Sequence, residues 1–108
     1  VRNTSFIDET GLDADSTATM TGTLDVTENK ELSWTVIGVT GTHTNHMVEL
    51  ECSNVSGTAN FVAMPGGASK ITGVGSADNI STNARFIRSR VITAQGTAST
   101  VRIVIVAK

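Results

Sequence analysis

Near its C-terminus the chain reads Ser99-Thr-Val-Arg-Ile-Val-Ile-Val-Ala107, a run dominated by β-branched side chains. Such stiff residues crowd a helix but pack well on a pleated surface. In an extended backbone Val101, Ile103 and Ile105 fall on one face, and Arg102, Val104 and Val106 on the other. The run before it, Ala84-Arg-Phe-Ile-Arg-Ser-Arg-Val-Ile-Thr93, repeats the pattern. There Ile87, Ser89 and Val91 oppose Phe86, Arg88, Arg90 and Ile92. A short segment centred on Gly96 joins the two runs, which predicts an antiparallel hairpin with a longer loop. In both runs the outer face carries large apolar groups beside charge. Such a face is expected to meet something other than water.

The same period of two recurs upstream. In Thr19–Thr27, Met20, Gly22, Leu24 and Val26 alternate with Thr21, Thr23 and Asp25, predicting a half-buried strand. Glu28-Asn-Lys30 turns the chain into Glu31–Val39, where Leu32, Trp34 and Val36 share a face. Trp34 is the only Trp and the natural core centre, provided its indole N–H finds an acceptor. A ligand-stacking role for it is the weaker reading, because sugar and single-strand binders deploy several aromatics and this chain has only Phe6, Trp34, Phe61 and Phe86. Thr40–Asn45 reads as a polar loop. His46–Cys52 follows as a strand with Val48, Leu50 and Cys52 inward and Glu49 and Glu51 outward. Residues 58–63 and 70–74 predict two brief strands, separated by a stop at Met64-Pro-Gly-Gly67. Gly75–Asn83 is the longest irregular stretch of the body and a plausible binding loop.

Residues 1–18 show no regular period, so they are expected to form an extended N-terminal arm preceding a domain over 19–108. Phe6 and Ile7 on that arm must either fold back on the domain or dock on a neighbour, since exposed apolar area is costly.

Composition supports the all-β reading and narrows function. Thr occurs 17 times in 108 residues, with one Pro and no Tyr, a mixture suited to strands and tight turns. A net charge of −2 argues against nucleic acid and against charge-driven membrane binding. No apolar stretch is long enough to span a bilayer, and no signal-peptide pattern is present. The single Cys52 forms no intrachain disulfide and reads as a small inward hydrophobe rather than a nucleophile.

Chemistry-bearing spacings are sparse. Asp13-Ala-Asp15 lacks the continuing ligands and the twelfth-position Glu of a calcium loop, where Leu24 stands instead. His43 and His46 have no third ligand in view, so surface hydrogen bonding is expected of them rather than zinc. Gly73-Val-Gly75 lacks the further Gly and the helix of a dinucleotide fingerprint. No Ser–His–Asp spacing or carboxylate pair suggests an enzyme, and no cofactor is implied.

Seven or eight short strands with turn signals every 8 to 12 residues predict an antiparallel β-sandwich, jelly-roll or immunoglobulin-like. The succession of Leu32-Ser-Trp-Thr-Val36, the Val-Glu-Leu-Glu-Cys52 strand, a Gly-rich linker and Ala84-Arg-Phe-Ile-Arg-Ser-Arg-Val91 resembles the small β-sandwich virion structural proteins of tailed bacteriophages. The resemblance covers residues 19–107 and leaves the arm outside. It implies a capsid decoration or cement protein, or a head or tail fibre domain, that binds capsid or tail proteins. It further implies a homo-oligomer, a trimer foremost, located in the virion and assembled in the host cytoplasm. On that reading Phe6, Ile7, Phe86, Val104 and Val106 are the expected interface. A carbohydrate-binding jelly-roll module, with residues 40–45 and 75–83 as its rim, is the alternative.

Overall fold

In a computed structural model that describes residues 4–55, 60–64 and 70–108, the alternation becomes two antiparallel sheets packed face to face. One sheet has the order β1 (Ser5–Asp13), β9 (Ser99–Ala107), β3 (Glu31–Gly41), β7 (Gly75–Ser81). The other runs β2 (Leu24–Asp25), β8 (Phe86–Thr93), β4 (Met47–Ser53), with β5 (Val62–Ala63) and β6 (Lys70–Thr72) both pairing on β4. They are called the first and second sheet below.

The period of two decides what lies between them. Leu32, Trp34 and Val36 pair with Ala107, Ile105 and Ile103 along the β3–β9 ladder, and all are buried. Val48, Leu50, Ile87 and Val91 close the core from the second sheet. Trp34 is fully buried at the centre, as its size dictates, but its Nε1 has no acceptor among the described residues.

Three expectations require correction. The two C-terminal runs do not form a hairpin: β8 belongs to the second sheet and β9 to the first, so the segment around Gly96 crosses between layers. Each run alternates correctly, yet a period of two cannot say which sheet a strand joins. The arm is, over Ser5–Asp13, the edge strand β1, in register with β9 from Ser5↔Ala107 to Asp13↔Thr100. A bulge at Gly11, whose φ of 88° suits Gly, resets the alternation so that Leu12 turns into the core. Gly75–Ser81 is likewise no loop but edge strand β7 on β3. Only Ala77 and Ile80 of this polar strand turn inward, and Asn79 at φ 58° breaks its period.

Elsewhere the elements follow the sequence. In the Thr19–Thr27 stretch only Leu24–Asp25 is ladder-paired, with a single bridge from Thr19 to Arg90, although Met20, Leu24 and Val26 are all buried. Residues 58 and 59 and the stop at Pro65–Gly67 lie outside the described residues. Among the described residues no helix is long and apolar enough to cross a membrane.

Candidate protein-docking face

The outer faces of the two sheets have opposite character. On the second sheet, Glu49 and Glu51 point outward as expected, yet both are buried. Arg88 Nε donates to Glu51 Oε1 at 2.9 Å, and its guanidinium lies 4.1 Å from the centre of the Phe61 ring. Glu49 pairs with Lys70 Nζ at 3.7 Å. Phe86, half-buried on this same face, carries the Arg85 guanidinium 5.0 Å from its ring centre. Charge pairing and Phe61 thus cover this face from within the chain.

The first sheet presents apolar groups and hydroxyls instead. Register sets them in rows across β1, β9 and β3: Phe6, Val106, Ser33; then Asp8, Val104, Thr35; then Thr10, Arg102, Ile37. Phe6 is 69 % exposed, and Ile37 and Val39 are exposed as well. Val104 and Val106 are half-buried by their neighbours in the sheet. β7 extends the middle row with Ser76, whose hydroxyl lies 2.8 Å from that of Thr35. The charge on this face includes one self-contained pair, beside exposed Glu31 on β3 and Asp78 on β7. Arg102 Nε donates to Asp8 Oδ1 at 2.8 Å and Nη2 donates to Oδ2, a bidentate clamp. Hydrogen bonding to Arg102 holds the Asp8 carboxyl below its ordinary value of 3.8.

The five expected interface residues therefore do not form one surface. Phe6, Val104 and Val106 come together on the first sheet's outer face. Ile7 turns inward and packs on the core beneath Gly22, where an added Cβ would lie 2.8 Å from Ile7 Cδ1. Phe86 is on the other sheet, because the hairpin that would have brought it near Val104 does not exist. Ile37, Asp8 and Arg102 were missed as members of the face. Ile37 was legible, being on the side of its strand opposite Trp34. The Asp8–Arg102 pair depends on β1 joining the sheet and had no local signal.

Two other regions carry polar chemistry. At one end of the sandwich His43 Nδ1 and His46 Nε2 are hydrogen-bonded at 3.0 Å, with the rings edge to face. The expectation of surface hydrogen bonding fails for His46, which is fully buried and whose Nδ1 has no partner among the described residues. Burial, and secondarily His43, push the His46 pKa below 6.5. Gln95 Oε1 ties this loop down by accepting from the backbone N–H groups of Asn45 and His46. Asp13 and Asp15 serve turns: Asp13 Oδ1 accepts from the Asp15 N–H, and Asp15 Oδ1 from the Gly96 N–H. Among the described residues no three His, Cys, Asp or Glu are grouped to hold a metal.

At the opposite end a cleft of about 590 Å³ is lined by Glu31, Cys52, Asn54, Met64, Thr82 and Asn83 among others, and none of its described lining residues is aromatic. Cys52 is half-exposed there rather than buried, and burial followed by the Glu51 charge raises its pKa above 9.0. The thiol is therefore protonated near neutrality. His46 sits at the far end of β4, roughly 20 Å away at the rise of an extended strand. Of the expected sugar rim at 75–83, Gly75–Ser81 is strand rather than loop, while Thr82 and Asn83 line the cleft.

No family model matches the chain, and no curated protein matches it. Among solved structures, the SPBc2 prophage-derived protein YomS superposes with a TM-score of 0.61 at 13 % identity, over 100 % of this chain and 97 % of that one. FLHE gives 0.48 at 10 % identity, over 97 % and 94 %. A family two carbohydrate esterase from Cellvibrio japonicus gives 0.37 at 9 % identity, over 97 % of this chain and 34 % of that one. The first is a likeness of fold across the whole chain; the other two are too distant to argue from.

Proposed function

We propose that this chain is a non-enzymatic structural protein of a tailed-phage particle, acting by protein–protein contact with capsid or tail proteins. The observation that carries the reading is the outer face of the first sheet. Phe6 stands 69 % exposed beside Val106 and Val104, while the equivalent face of the second sheet is covered by its own side chains. Large apolar area left open on a small domain marks a surface meant for a partner. The whole-chain fold likeness to a prophage-derived protein supports the reading at the level of fold only. Repeated on a particle, many copies of one modest contact add through effective concentration to a firm attachment. The terminal cleft supports a glycan reading less well, since it offers sugar rings no aromatic platform.

Gradient sedimentation of material from the native source, followed with an antibody to the chain, tests the proposal. The chain should travel with a large particle and leave it when Val104→Lys is introduced. A chain that stays wholly with the small soluble proteins, or that binds a glycan array, overturns the assignment.

A further inference from the structure

We propose that the His43–His46 pair is an acid-operated latch on residues 42–46, the segment that joins β3 to β4. It holds while the pair carries at most one added proton. It releases the segment, with both sheets intact, when both rings are charged.

The segment is fastened at three places. Gln95 Oε1 accepts from the Asn45 and His46 N–H groups, and Gln95 Nε2 donates to Thr44 Oγ1. The Gly73 N–H, in the turn from β6 to β7, donates to the His46 carbonyl. The third fastening is the pair itself, His43 Nδ1 and His46 Nε2 at 3.0 Å. Its His43 ring lies flush on the β3 backbone, where a Cβ added to Gly38 would come 2.6 Å from Cδ2.

Between the two ring nitrogens there is room for one hydrogen. In the neutral pair either ring can be its donor. A first proton goes to His43, which is partly exposed, rather than to the fully enclosed His46. His43 Nδ1–H must then donate, so His46 Nε2 accepts and the hydrogen of His46 moves to Nδ1. The bond survives that step. A second proton has to enter on His46, which sets two N–H groups head to head on two cations. Nδ1 has no partner among the described residues over which to spread that charge.

Nothing packed around the pair offsets it. The Asp13 and Asp15 carboxylates, beside the Gln95 loop, are turned onto the Asp15 and Gly96 N–H groups. Glu49, Lys70 and Arg90 stand on the outer side of the second sheet. Burial first, and then the His43 charge, work against a proton on His46. In the released segment both rings reach water. Release therefore gains as pH falls below 6.5, by about tenfold per pH unit for the second proton.

Amide exchange read by nuclear magnetic resonance from about pH 7.5 to about pH 5 tests the latch. The N–H groups of Asn45, His46 and Gly73 should lose protection by about tenfold per pH unit in the acid range. Amides of β9 should stay slow and the near-ultraviolet signal of Trp34 should persist. Ring nitrogen shifts should place the His46 hydrogen on Nδ1 once His43 is charged. His43→Gln removes one of the two charges and leaves a carboxamide able to accept from a charged His46, so it should keep the segment shut to lower pH. The wild-type readouts stand whether or not that variant folds. Three outcomes overturn the proposal: reporter amides that stay protected until the Trp34 signal collapses, release at the same pH in folded His43→Gln, or a His46 hydrogen on Nε2 beside a charged His43.

Discussion

An imidazole with no charged partner is tolerated in a protein interior only while neutral. His46 is fully buried, its Nδ1 is unpartnered among the described residues, and its Nε2 faces another imidazole, that of His43. Burial depresses its folded-state pKa below 6.5, the value it regains on unfolding. Between those two values the unfolded chain binds the extra proton and the folded chain does not, so stability falls as pH falls through that window. Asp8 and Asp25, held below 3.8 by hydrogen bonds from Arg102 and Thr27 respectively, keep their charges there. Urea midpoints at about pH 7.5 and about pH 5.5 should therefore differ, with the acid value lower. His46→Gln should flatten the difference whatever it does to absolute stability. A wild-type midpoint that does not move would show that the site accepts a proton without cost. Alternation alone would have placed His46 inward, two positions before Val48, but the polar loop that precedes it pointed to the surface. Its place in the core depends on Gln95, about fifty positions away, holding the loop.

At the scale of elements, the second sheet shows how an outward face can be closed without apolar partners. Arg88 and Glu51 are adjacent across the β4–β8 ladder, nearly buried, and roofed by Phe61. Removing one member of such a pair strands the other charge in a poorly solvated place, which typically costs about 3–5 kcal/mol. Arg88→Met, which leaves the buried Glu51 carboxylate without its guanidinium, should lower stability by about 3 kcal/mol, while Glu51→Leu with Arg88→Met should recover most of the loss, as apolar replacement of buried pairs often does. A double variant as unstable as the single one would mean that the pair itself, rather than the stranded charge, carries the stability. Strand positions and inward residues were largely legible here, because alternation at Val48, Leu50, Ile87 and Val91 is a local property. Strand partners were not. The hairpin expected around Gly96 and the arm expected before residue 19 both failed on pairing, which distant residues decide. The candidate face inherited that fault: Phe6, Val104 and Val106 assemble because β1 lies beside β9, whereas Phe86 was assigned to it only through the missing hairpin.

For the molecule as a whole, the first sheet pairs the two ends of the chain, β1 against β9. β9 is one of its two interior strands, flanked by β1 and β3, with Ser5 opposite Ala107 and Trp34 opposite Ile105. The core that Trp34 centres therefore cannot close until the last nine residues are in place, and nearly every stabilising contact spans a long loop. Loop-closure entropy must be met before such contacts form, which places sandwiches of this kind among the slow two-state folders, in the millisecond-to-second range. A single core shared by both sheets also ties their unfolding together. Trp34 fluorescence, which reports the centre, and far-ultraviolet circular dichroism, which reports the strands, should follow one urea transition. Refolding should be a single phase slower than about a millisecond. Deletion of residues 1–13 should abolish that transition, because β1 supplies Leu12 and the packed Ile7 and covers one edge of β9. A truncated chain that still unfolds cooperatively would restore the view of those residues as a detachable arm. Such a chain would also expose the edge of β9 that β1 covers.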